Sequence, residues 1–219
     1  MDTENSENLM FETGIVAIMR AKSSDQLLAA AEAILAGGVK VIEVTMTTPD
    51  ALNVIRKATS QFSDEVLFGA GSVLDPETAR AAILAGAQFI VCPTLNKKTI
   101  KLCRRYSIPV IPGAYTPTEI LTAWEAGASS VKVFPASAGG PAYIKAVKAP
   151  LPQVSLTAVG GVNMENTAEF FRSGADIVGI GGELVNQQLL EEGNLKEITK
   201  RAEKFTVEAQ KGRNFTRRR

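Results

Sequence analysis

Short runs of β-branched and apolar residues return about every 20 to 26 residues along the chain, each followed by an amphipathic stretch of helical length. Alternation of that kind folds as parallel βα units, because each strand must be carried back to the same edge by a crossover helix. The expected strands are Gly14 to Met19, Val39 to Thr45, Val66 to Ala70, Phe89 to Cys92, Pro109 to Pro112, Ser130 to Phe134, Val154 to Val159 and Asp176 to Ile180. Four of the intervening helices close on Gly37-Gly38, Gly86-Ala87, Gly127-Ala128 and Gly174-Ala175, as a left-handed C-terminal cap requires. Ser23-Ser24-Asp25, Thr48-Pro49-Asp50, Asp75-Pro76-Glu77 and Thr116-Pro117-Thr118-Glu119 mark helix starts. An open doubly wound sheet shares this local pattern, but the count and even spacing favour closure into a single α/β (β/α)8 barrel, and no G-x-G-x-x-G follows the first strand.

No linker interrupts the series, so one barrel domain is expected over 14–210. A loose polar segment is expected over 1–13, and a basic tail over 211–219 that ends Arg217-Arg218-Arg219. The chain has 24 basic and 23 acidic residues, so it presents no overall field for nucleic acid or an anionic membrane. Residues 1–11 lack the apolar centre of a signal peptide, and no apolar run reaches the length of a membrane span. Cys92 and Cys103 are too few for a disulfide scaffold or zinc cluster, which fits a reducing cytoplasm. Histidine is absent, and with it the commonest general base and transition-metal ligand. The chemistry must then use carboxylates, lysines, hydroxyls or backbone groups, with no metal and no cofactor expected.

Catalytic groups of parallel barrels sit at the C-terminal ends of the strands. In Ser130-Val131-Lys132-Val133-Phe134-Pro135 the period of two sends Val131 and Val133 one way and Lys132 and Phe134 the other. If the valines meet the helices, Lys132 points into the barrel. Lost hydration there disfavours the charged amine and leaves more free amine to attack a carbonyl. Its bland alternative is a lysine that snorkels to the mouth or pairs with a carboxylate. Glu43, in Val41-Ile42-Glu43-Val44-Thr45, has the same inward register, either shuttling protons or merely neutralising Lys132. Arg20 ends the first strand, placed to orient Glu43, to bind an anion, or simply to lie at the surface. Glycine clusters follow the late strands: Gly139-Gly140, Gly160-Gly161, and Gly179 with Gly181-Gly182. Such loops let backbone N–H groups approach a phosphate, although tight turns need glycine as well. Ser72 adds a hydroxyl from the third strand.

Taken in order, Ala17-Ile18-Met19-Arg20, Ile42-Glu43-Val44-Thr45, Gly69-Ala70-Gly71-Ser72-Val73, Ile111-Pro112-Gly113, Lys132-Val133-Phe134-Pro135 and Val159-Gly160-Gly161-Val162 resemble the 2-keto-3-deoxy-6-phosphogluconate and 4-hydroxy-2-oxoglutarate aldolase family. The resemblance spans nearly everything from Gly14 to Val185. It implies a homotrimeric, metal-free class I aldolase that releases pyruvate from a small 2-keto acid, expected to be phosphorylated, with glyceraldehyde 3-phosphate or glyoxylate as the aldehyde. Lys132 matches the family's Schiff-base lysine and Glu43 its acid/base residue. Arg20, Pro93 and Phe134 match pocket positions, and Gly160 and Gly161 lie at the phosphate end, with Gly181 and Gly182 beside them.

Three positions depart from the family pattern. Thr47 stands where many members carry a carboxylate-binding arginine, leaving that anion to hydroxyls such as those of Thr47 and Ser72 and to backbone donors. Val159 replaces a threonine and resembles the branch that acts on the galactonate epimer. Glu183 follows Gly182 where a serine often helps to hold phosphate, and a carboxylate aimed there would repel it. Competing readings are a non-imine, phosphate-binding isomerase or epimerase and a catalytically silent barrel, since fold alone does not decide function.

Overall fold

The computed structural model describes residues 3–62 and 65–216. Its parallel strands are β1 (Ile15–Met19), β2 (Val41–Thr45), β3 (Leu67–Gly71), β4 (Ile90–Val91), β5 (Val110–Ile111), β6 (Gly113–Ala114), β7 (Val131–Val133), β8 (Leu156–Val159) and β9 (Ile177–Ile180). They form one sheet in the order β5-β4-β3-β2-β1-β9-β8-β7-β6. The two ends of that order are halves of one extended run, divided at Pro112, which has no N–H to donate. Carbonyls along this run face both ways: Ile111 accepts from the Cys92 N–H at 3.1 Å, Pro112 from the Lys132 N–H at 2.9 Å and Ala114 from the Phe134 N–H at 3.1 Å. The ring therefore closes as an eight-membered barrel, in agreement with the sequence expectation.

Helices α2 (Ser24–Ala36), α3 (Ala51–Phe62), α4 (Pro76–Leu84), α5 (Lys97–Arg105), α6 (Pro117–Glu125), α7 (Gly140–Lys148) and α8 (Thr167–Arg172) return the chain between strands. Short α9 (Gln187–Glu191) and long α10 (Leu195–Thr216) follow the last strand. Three of the four expected helix starts carry side-chain caps: Ser23 accepts from the Gln26 N–H, Asp75 from the Thr78 N–H, and Thr116 and Glu119 make a reciprocal capping box. The expectation for Thr48-Pro49-Asp50 is corrected, because α3 begins at Ala51 after Asp50 turns through a φ of 51°. Gly38, Gly86, Gly127 and Gly174 have φ of 87°, 105°, 93° and 104°, the left-handed region that turns each helix into the next strand.

Side chains on alternate strand positions build two cores. One face packs against the helices through residues such as Ala17, Ile42, Phe68, Val131 and Val178. The other fills the barrel's lower interior with Val16, Val41, Leu67, Phe89, Val91, Ile111 and Ile177. Met10 joins that inner cluster from α1 (Thr3–Thr13), a helix laid across the N-terminal end of the barrel.

The expectation of a loose segment over 1–13 is therefore corrected for residues 3–13, while residues 1 and 2 lie outside the described residues. Leu9, Met10 and Phe11 are adjacent and show no helical period, but an open barrel floor exposes apolar surface that they cover. The expected tail boundary at Lys211 is corrected as well, because α10 runs unbroken to Thr216. Arg213 donates to the carbonyls of Phe11 and Glu12, and so ties the end of α10 to the last turn of α1. Arg217-Arg218-Arg219 lie outside the described residues. Among the described residues no helix is long and apolar enough to cross a membrane.

Candidate active site

Register places Lys132 in the barrel interior. Val131 and Val133 pack with the helices, while Lys132, only 6 % exposed, faces inward between Gly113 of β6 and Thr157 of β8. Beneath it the hydroxyls of Ser130 and Thr157 share a 2.8 Å hydrogen bond. Its Nζ lies 4.9 Å from the centre of the Phe134 ring, two residues on along the same face. Gly113 is required here, since a Cβ at that position would fall 2.3 Å from the Pro93 backbone.

Glu43 enters the same space from β2, opposite Gly69 of β3 and Ile18 of β1. A Cβ on Gly71 would lie 1.7 Å from Glu43 Oε1, so the missing side chain is what makes room for the carboxyl. Burial raises the Glu43 pKa above the ordinary carboxylate range, and the opposing pull of Lys132 and then Arg20 reduces the rise. The amine and carboxyl feel each other's field, yet the ion pairs within 4.0 Å among the described residues, such as Lys148–Asp176, lie elsewhere.

A cleft of about 580 Å³ opens above β1, β8 and β9, at the C-terminal end of the barrel. Arg20, Phe134, Val159, Gly160, Gly161, Gly181 and Gly182, all singled out in the sequence, line it. Phe134 is its link to Lys132. Gly160 and Gly161 have φ of 95° and 76°, a backbone that brings the β8 loop close over Pro135 and Ser137. Thr47, Ser72 and Pro93 do not line this cleft. They end β2, β3 and β4 on the other side of the mouth, where the Thr47 hydroxyl bonds that of inward-facing Thr45 at 2.9 Å. Ser72 holds a positive φ of 58° there.

Sequence reasoning missed Asn163, Asn186 and Gln187, which line the outer part of the cleft. Asn163 and Asn166 cap each other's backbone N–H groups at 2.9 and 3.0 Å, and Asn166 Nδ2 donates to the Gly161 carbonyl at 2.8 Å. The spacing Asn-x-x-Asn after a glycine pair was the available signal, because asparagine oxygens habitually bond backbone two or three residues on. A further opening of about 670 Å³, near Asn8, Leu9, Glu12 and Lys40, lies at the opposite, N-terminal face against α1 and holds none of the expected site residues.

Comparison with known proteins agrees with this geometry. The sequence profile of the KDPG and KHG aldolase family matches residues 6–201. The chain is 39% identical to the 2-dehydro-3-deoxy-6-phosphogalactonate aldolase of Escherichia coli K12 over 78% of its own length and 83% of that protein's. It is 34% identical to the KHG/KDPG aldolase of the same strain, over 90% and 93%. A solved KDPG aldolase from Legionella pneumophila, with pyruvate captured as a covalent carbinolamine intermediate, superposes with a TM-score of 0.85 at 30% identity, covering 90% of this chain and 96% of that one.

Proposed function

Because the chain belongs to the KDPG and KHG aldolase family, we propose that its aldol cleavage of 4-hydroxy-2-keto acids runs through an imine on Lys132, with Glu43 as the proton carrier. The observation that carries this assignment is the inward, nearly buried amine of Lys132 within the field of a buried carboxyl whose pKa is raised. A carboxyl shifted upward holds a proton nearer neutral pH, and so can both give and take one.

Lys132 Nζ attacks the C2 carbonyl carbon, and the proton that the attacking amine sheds passes to the carbonyl oxygen to give a carbinolamine. Glu43 delivers the proton with which that hydroxyl leaves as water, so that a protonated imine remains. The Glu43 carboxylate left by that step takes the proton of the C4 hydroxyl, whose oxygen becomes the aldehyde carbonyl as the C3–C4 bond breaks. The electron pair moves to C3 and the iminium nitrogen, which leaves an enamine while the aldehyde departs. Protonation at C3 and hydrolysis of the imine release pyruvate and restore the amine. Neither a metal nor a cofactor enters this sequence.

On this reading Arg20, Phe134, Val159 and the glycine pairs Gly160-Gly161 and Gly181-Gly182 receive the aldehyde-side portion of the substrate, and Thr47, Ser72 and Pro93 the carboxylate side. Candidate substrates are 2-keto-3-deoxy-6-phosphogluconate and 4-hydroxy-2-oxoglutarate. A second reading, the galactonate epimer, is favoured by Val159 in the cleft wall and by the similarity to the phosphogalactonate aldolase. The same reading carries with it a cytoplasmic homotrimer, the assembly that the family resemblance implies. Borohydride added with pyruvate should leave a stable adduct on Lys132 and none on Lys132→Met, whose turnover should fall by at least about a thousandfold. An adduct elsewhere, or turnover retained in the variant, would remove the assignment and favour an isomerase or epimerase.

A further inference from the structure

We infer that Thr157, backed by Ser130, is a positioning residue for the imine: it sets an acceptor-only hydroxyl oxygen beside Lys132 that favours the cationic nitrogen of the reaction. The inference rests on the imine assignment above.

The lower interior of the barrel is apolar on most strands, with Val16, Val41, Leu67, Phe89, Ile111 and Ile177 turned inward. On β7 and β8 the pattern breaks. Val131, Leu156 and Ala158 pack with the helices, so the alternate residues Ser130, Lys132 and Thr157 face the interior. Lys132 and Thr157 are register partners, which puts them side by side on strands about 5 Å apart. Ser130 and Thr157 are both 2 % exposed. The fold does not need hydroxyls at these positions, because apolar groups of the same shape fill such a site at little or no cost.

What the hydroxyls add follows from a count of their protons. Ser130 Oγ donates to the Ser155 carbonyl at 3.2 Å and lies 2.8 Å from Thr157 Oγ1. The Ser155 carbonyl also accepts the Val131 N–H at 2.8 Å, which fixes that end of the chain. Each hydroxyl has one proton. Ser130 gives its proton to Ser155, so the proton of the 2.8 Å bond belongs to Thr157, and Thr157 Oγ1 keeps only lone pairs. The negative end of this short dipole chain is then the oxygen next to Lys132. An ammonium or a protonated imine loses its water on entering the barrel, and such a fixed dipole offsets part of that loss; a neutral nitrogen gains less.

The titratable groups whose fields meet Lys132 are Glu43 from β2 and Cys92 at the end of β4, while Arg20 from β1 acts on Glu43. Burial pushes the Cys92 thiol up to about 12, so it stays neutral. Gly113 and Thr157, the register partners of Lys132 on β6 and β8, do not titrate. Replacing Thr157 therefore alters a dipole and no charge.

The test is the pH profile of pyruvate trapping on Lys132 by cyanoborohydride, which reduces the protonated imine. The acid limb reports loss of a proton by the amine, and the alkaline limb its loss by the imine. Thr157→Val should move both limbs to lower pH by about half a unit to one unit, about three- to tenfold in each proton equilibrium. Thr157 does not line the cleft, so turnover should fall in kcat with KM little changed. Thr157→Ser should restore the native profile. Ser130→Ala frees the Thr157 proton to turn toward Lys132 and should move the limbs in the same direction, a second reading should circular dichroism show Thr157→Val unfolded. A trapping profile reduced in height but unshifted in either folded variant means packing alone, and overturns the inference while Lys132 keeps its imine. Absence of any adduct in the native enzyme overturns both this inference and the imine assignment.

Discussion

At the scale of single residues, the site depends as much on missing side chains as on the two charged ones. Gly71 leaves the volume that the Glu43 carboxyl occupies, since a Cβ there would stand 1.7 Å from Oε1. Gly71→Ala must therefore displace the carboxyl. Turnover is expected to fall about a hundredfold or more, the range lost with a positioned acid/base, while pyruvate trapping on Lys132 persists at a reduced rate. Circular dichroism would show whether the fold survives. Glu43 itself makes stability depend on pH. Because its folded pKa lies above the unfolded value, the folded state holds the proton more tightly, and stability is lost as pH rises through the raised pKa. Glu43→Gln abolishes this titration. Relative to the native protein, its urea midpoint should rise at alkaline pH and gain least at mildly acid pH; equal differences at both would contradict the assignment.

At the scale of elements, α1 and the divided strand are the informative pieces. Met10 is 1 % exposed and completes the apolar cluster that fills the barrel floor. Met10→Ala should cost about 2–5 kcal/mol by chemical denaturation, the usual range for truncating a buried methionine. Trapping of pyruvate on Lys132 should survive, because the floor and the mouth lie at opposite ends of the barrel. Pro112 shows a different economy: it interrupts one ladder, yet its carbonyl accepts the Lys132 N–H and so helps to hold β7 in the register that points the amine inward.

At the scale of the whole molecule, the helical shell exposes Leu74, Leu84, Tyr106 and Trp124 around α4, α5 and α6. Leu84 is 69 % exposed, and burial of such side chains against another copy would be favourable by the hydrophobic effect. Light scattering is expected to give three times the 23.3 kDa chain mass, with Leu84→Glu shifting the population toward monomer. A native monomer would exclude the trimer.

The barrel, its caps and the inward sense of Lys132 and Glu43 were legible in the sequence because they follow from local rules. Periods of two and 3.6 assign faces, and glycine or asparagine after a helix marks a left-handed turn. The helical state of 3–13 was hidden, since three adjacent apolar residues have no period and are ordered by a floor assembled from distant strands. Gly71 read as one more glycine until the β2–β3 register set it against Glu43. Likewise Asn163 and Asn186 come from two loops that share a wall only when β8 and β9 pair. Sequence by itself determined which residue types could do chemistry and which face of each strand they occupy, because backbone geometry dictates both. Only tertiary structure decided which of them meet, because the distances across a closed ring depend on the register of every strand within it.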